Sequence, residues 1–97
     1  MSILNFTLEF TSIAKAITKQ RQVSLSVETG ATFADLVKII AQAYPGLAGV
    51  IINPEGTGLL NSNVFILNGE TLVLPDRMDQ RINEGDHLTL LSVIVGG

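Results

Sequence analysis

The chain has 97 residues, 46% hydrophobic and only 15% charged, a balance that can fill one compact core and argues against disorder. Six basic and nine acidic side chains leave a net charge of −3, without the clustered Lys and Arg that a phosphate backbone demands, which argues against nucleic acid as a partner. The absence of cysteine excludes a disulfide framework, a thiolate zinc site and a cysteine nucleophile or side-chain persulfide; one histidine, His87, excludes a multi-histidine metal site.

Residues 3–10 alternate: Leu4, Phe6, Leu8 and Phe10 point one way and Asn5, Thr7 and Glu9 the other, as in a half-buried strand. Nothing at this end has the basic and unbroken apolar regions of an export signal. The longest apolar runs fall short of the ~18–20 residues that span a bilayer. The expectation is a soluble, cytoplasmic chain with no membrane partner. Residues 11–20, with Lys15 and Lys19, read as a connecting loop or short turn. Residues 21–28 then repeat the alternation through Val23, Leu25 and Val27, which predicts an antiparallel partner for the first strand.

The period changes at residue 33. Phe33, Leu36, Val37, Ile40, Ala43 and Tyr44 recur at helical spacing and form one apolar stripe. Thr32 stands where an N-cap belongs, and Asp35 three residues on completes a capping box. Pro45-Gly46 ends the helix, because proline disfavours helical geometry before it and glycine tolerates positive φ. Residues 47–52 fit a short strand or a helix extension, and Asn53 to Gly58 is a loop dense in turn formers. Gly56-x-Gly58 has neither the strand nor the helix N-terminus of a nucleotide loop, so it reads as structural.

Val64 to Leu67 and Thr71 to Leu74 flank Asn68-Gly69, the signature of a type I′ hairpin. Pro75 to Glu84 is a polar loop with room for one helical turn, anchored by Met78 and Ile82. Gly85-Asp86 turns the chain into Leu88 to Val95, apolar enough for a strand paired on both sides and covered on both faces. The pattern predicts a single α+β domain over residues 1–97, a mixed sheet with one main helix across one face.

Within the domain no histidine and carboxylate stand at a spacing suited to catalysis, and Ser62 or Ser92 has no base beside it in the sequence. His87 reads as a partly exposed strand residue and Asp35 as a cap. Lys15, Lys19 and Arg21 read as a solvated edge or a contact for an acidic partner. The end of the chain differs. Gly96-Gly97 has no Cβ to clash in a narrow channel, and it carries a sterically naked α-carboxylate. By itself the pair is either an inert tail or a presented reactive group.

The order of these motifs resembles the ubiquitin-like β-grasp sulfur carriers, the family of the molybdopterin synthase small subunit and the thiamine-biosynthesis carrier. The residues that carry the resemblance are Phe10, Thr29 to Leu36, Ala43 to Leu47, Val64 to Glu70 with its Asn68-Gly69-Glu70, Glu84-Gly85-Asp86, and the terminal Gly96-Gly97. The loop over residues 53–62 brings the length closer to the longer molybdopterin subunits. The resemblance implies a β-grasp fold and a co-substrate rather than an enzyme. An E1-like adenylating enzyme would use ATP to activate the Gly97 carboxylate, and a sulfur donor would convert it to a thiocarboxylate. Gly96 would let the tail thread into the active sites of its partners. No cofactor is bound by the chain itself. The expected acceptor is a pterin precursor in the large subunit of molybdopterin synthase, with the sheet face beside the last strand as docking surface. The alternatives are a carrier for thiazole or cysteine synthesis, a modifier joined to lysines in the manner of ubiquitin, and a plain β-grasp interaction domain.

Overall fold

Strict alternation in the first segment becomes strand β1 (Ile3–Phe10), whose inward residues Leu4, Phe6, Leu8 and Phe10 are all buried. The computed structural model describes residues 2–60 and 63–92. β2 (Gln22–Glu28) pairs antiparallel with β1 in unbroken register from Ile3↔Glu28 to Glu9↔Gln22. α2 (Phe33–Ala43) follows the first helix, described below, and leads to β3 (Asn63–Leu67), β4 (Thr71–Val73) and β5 (His87–Ser92). The sheet order is β2-β1-β5-β3-β4. β5 lies in its centre, parallel to β1 and antiparallel to β3. This is the mixed sheet that the residue pattern predicts.

α2 lays Phe33, Leu36, Val37 and Ile40 into the core, where they join Phe6, Leu8, Phe65, Leu88 and Leu90. Its capping box is complete: the Asp35 N–H donates to Thr32 Oγ1 at 3.2 Å, and the Thr32 N–H donates to Asp35 Oδ2 at 3.0 Å. Those hydrogen bonds hold the Asp35 carboxyl below its usual range. Ala43 departs from the expected stripe and is exposed. Tyr44 leaves helical geometry at φ −132°, ψ 76°, as a residue before proline should. Its ring meets Phe10 edge-on at 5.2 Å.

Four expectations need correction. Residues 11–20 are not a plain loop, for Ser12–Thr18 forms a short helix, α1, that buries Ala14. Seven residues with two β-branched isoleucines carry little helical signal alone; packing makes the helix. Gly46 does not take positive φ. Its lack of a side chain serves the packing of α1, since a Cβ there would stand 2.9 Å from Ile17 Cγ2. Residues 47–52 form neither strand nor helix extension beyond a 3-10 turn at Pro45–Leu47, and they pair only through the isolated bridges Ala48↔Ile52 and Ile52↔Leu59. β5 is paired on both sides but covered on one face: Leu88 and Leu90 are buried while His87, Thr89 and Leu91 are half-exposed.

Two distant turns lock each other. Asn68 and Gly69 both have positive φ, 53° and 73°, and Glu70 N–H donates to Leu67 C=O, which gives the expected I′ turn. Asn68 Oδ1 accepts from the His87 N–H at 2.8 Å, and the Asn68 N–H donates to the His87 carbonyl at 2.7 Å. The buried Asp86 carboxylate accepts from Asn68 Nδ2 at 3.2 Å and from the Asn83 N–H at 2.9 Å. One carboxylate thus ties the hairpin to the turn that launches β5.

Two stability measurements test this architecture. Ile40→Ala should cost about 2–5 kcal/mol in urea unfolding, as expected for emptying a fully buried site; a loss under about 0.5 kcal/mol would mean the helical face is wrong. Asp86→Ala should cost about 1–3 kcal/mol, because it strands the Asn83 N–H and the Asn68 amide, and Asp86→Asn should cost less because it keeps an acceptor. Equal losses for the two variants would show that packing, not these bonds, sets the cost.

Candidate functional site

The candidate site is approached from the Ser92 end of β5, Ser92 being the last described residue before the expected Gly96-Gly97. Two side chains clamp that end. From the β1 side, Thr11 Oγ1 donates to the Leu90 carbonyl at 2.7 Å. From the β3 side, Ser92 Oγ donates to Asn63 Oδ1 at 2.6 Å, and Asn63 Nδ2 donates in turn to the Leu60 carbonyl at 2.5 Å. Thr11 therefore does not cap α1, which has no side-chain cap; its hydroxyl serves the last strand instead. Ser92 is a structural donor. Gly96 and Gly97, the residues on which the chemistry is expected, lie outside the described residues, as do Ser62 and Val93 to Val95.

The sheet face opposite α2 is divided by polarity. The core-facing sets of β3, β4 and β5 include Phe65, Val73, Leu88 and Leu90, so Val64, Ile66, Leu72 and Leu91 must face out. Val64 lies opposite Leu91, and Ile66 lies between Thr89 and Leu72. Leu72 is 51% exposed. The apolar half thus adjoins the Ser92 end of β5. On β1 and β2 the same face carries Asn5, Thr7, Glu9, Ser24 and Ser26, and Ser26 Oγ donates to Asn5 Oδ1 at 2.6 Å. Beside the apolar half, Leu59, Val64, Val73 and Met78 line a cavity of about 230 Å³ under the loop after residue 53.

Sequence spacing gave no partner to His87, but the parallel β1–β5 pairing supplies one. Its Nε2 stands 2.9 Å from Glu9 Oε1, with both side chains more than a third exposed. Residues 78 apart cannot be paired from local pattern; only the strand order brings them together. On an open sheet face such a pair is worth about 0–1 kcal/mol and joins two central strands. Asp35 is a cap, as its position predicts. Lys15, Lys19 and Arg21 are all exposed. Among the described residues no three His, Asp or Glu side chains converge on a metal position, and no helix is long and apolar enough to cross a membrane.

A profile of the ThiS family matches residues 9–97. The chain is 26% identical over 95 residues to small archaeal modifier protein 3 of Haloferax volcanii, covering 97% of this chain and 100% of the relative. The crystal structure of SAMP1 from Haloferax volcanii superposes with a TM-score of 0.79 at 22% identity, covering 96% of this chain and 99% of the other. The putative molybdopterin converting factor subunit 1 of Pyrococcus furiosus gives 0.74 at 12% identity, over 94% and 99%. The structural likenesses establish the ubiquitin-like β-grasp fold. With the family match running from within β1 to the last residue, the chain belongs to the ThiS family.

Proposed function

We propose that this chain is a sulfur carrier that works through the carboxylate of Gly97 and delivers sulfur in molybdopterin synthesis. The observation that carries the reading is the family match extending through Gly96-Gly97 to the final residue. A carboxylate is a poor acyl donor. An E1-like partner would join it to the α-phosphate of ATP with release of pyrophosphate, and hydrosulfide would then attack the acyl carbon and expel AMP, losing its proton to leave a thiocarboxylate. Gly96 supplies a backbone without a side chain, which suits a narrow channel. Val64, Ile66, Leu72 and Leu91 form an apolar surface beside the Ser92 end of β5, which supports docking of the activating enzyme and of a large synthase subunit there. The likeness to the molybdopterin converting factor subunit supports the pterin acceptor.

A second reading is favoured by the match to a protein named as a modifier. In it the same activated carboxylate passes to a lysine amine and forms an isopeptide bond. Both readings share the activation step and differ only in the nucleophile.

Intact mass spectrometry after incubation with ATP, an E1-like enzyme and sulfide is the test. The thiocarboxylate should be about 16 Da heavier, as sulfur replaces oxygen at the terminal carbon. Chains that stop at Gly96 or continue one residue past Gly97 should fold and gain nothing. One residue displaces the reacting carbon by up to ~3.6 Å, whereas attack requires about 3–3.5 Å. Gain of that mass by either altered chain would refute the assignment of Gly97. Ile66→Asp should raise the KM for activation about tenfold while the helical and sheet circular dichroism stays unchanged, a loss of about 1.4 kcal/mol in docking.

A further inference from the structure

Among the described residues β2 forms one border of the sheet, and its outer edge has few of the devices that usually blunt an edge. Gln22–Glu28 contains no Lys, Arg or Pro, and its register with β1 advances one for one without a bulge. The opposite border strand, β4, has only three residues. The ladder decides which groups of β2 are free. Phe10 N–H donates to the Arg21 carbonyl at 2.8 Å, and Thr29 N–H donates to the Ser2 carbonyl at 3.0 Å, at the two ends of one register. Bonding alternates along an antiparallel strand, so Val23, Leu25 and Val27 turn their amides and carbonyls toward β1. Gln22, Ser24, Ser26 and Glu28 turn theirs outward, away from the sheet.

The strand reads Gln-Val-Ser-Leu-Ser-Val-Glu, nearly the same in both directions. We infer that this edge pairs with the same edge of a second copy, antiparallel about a two-fold axis at Leu25. Such an axis sets Leu25 against Leu25, Val23 against Val27 and Ser24 against Ser26. Gln22 then lies opposite Glu28, an amide donor against a carboxylate. Every outward-facing residue meets another outward-facing residue, so the pairs Gln22–Glu28 and Ser24–Ser26, each occurring twice, exchange backbone hydrogen bonds. On the core side of the sheet the half-buried Val23 and Leu25 gain apolar cross-strand neighbours. The charges select this direction. Arg21 comes opposite Thr29 of the second copy, one residue from its Glu28, whereas a parallel pairing would set Glu28 against Glu28. β5 is two strands away from the axis edge, about 10 Å, so its Ser92 end and the apolar face beside it remain uncovered.

Sedimentation of the full chain from micromolar to millimolar concentration tests the inference. The mass should rise from 10.4 kDa toward twice that value. Ser24→Pro removes an outward N–H and leaves the β1 ladder intact, so it should stay monomeric with an unchanged circular dichroism spectrum. A chain with Ser24→Lys and Ser26→Lys should also be monomeric, and mixing it with one carrying Ser24→Glu and Ser26→Glu should restore the doubled mass. If the proline variant fails to fold, the lysine and glutamate pair tests the same edge independently. A wild-type chain that is monomeric at millimolar concentration would overturn the inference. So would Lys/Lys and Glu/Glu variants that fail to associate on mixing.

Discussion

The parallel pairing of β1 with β5 is the constraint on which the rest depends. It joins residues about 80 positions apart, Thr7 with His87 through Phe10 with Leu90, and places the last described strand at the centre of the sheet. Every element between them must be accommodated around that contact: β2 on the outer side of β1, α2 across the core face, β3 and β4 on the outer side of β5. Closing so long a loop is entropically expensive, and the fully buried Leu8, Leu88 and Leu90 provide the apolar burial that offsets it. The Glu9–His87 contact and the Thr11 hydroxyl on Leu90 reinforce the same seam from the solvent face and from its end.

This constraint explains why two short motifs far apart in sequence occur together. Asn68-Gly69 supplies a turn with two positive φ angles, and Glu84-Gly85-Asp86 supplies the turn before β5. Separately each is an ordinary turn signal. Folded, the Asp86 carboxylate bonds to both, and Asn68 holds the first residue of β5 through its backbone and side chain. The family resemblance at these positions thus has a mechanical content: they fix where β5 starts, while Asn63 and Thr11 hold Ser92 and the Leu90 carbonyl farther along the strand.

A central strand beside an apolar half-face suits the proposed function. In that reading the reactive group need not be built into a cleft, because a partner would supply the cleft. The domain supplies a sheet with β5 at its centre and an adjoining surface of Val64, Ile66, Leu72 and Leu91. The polar half of that face and the β2 edge lie at the opposite end of the sheet, so the proposed docking near β5 and the proposed pairing at β2 use separate surfaces.

The sequence by itself determined the local elements with strong periodicity: β1 and β2, the capped helix from Phe33, the Asn68-Gly69 hairpin and the Gly85 turn. Their signals are written in side-chain period and backbone preference, which act over a few residues. Gly96-Gly97 is a sequence reading that lies outside the described residues. What the tertiary structure alone decided are α1, the role of Gly46 and the contact of His87 with Glu9. α1 is too short to hold itself, and its helicity comes from burying Ala14. Gly46 is needed for space against Ile17, a neighbour 29 positions away. The half-exposure of β5 also escaped the sequence, because an apolar run looks alike whether a helix or only solvent and a future partner covers its second face.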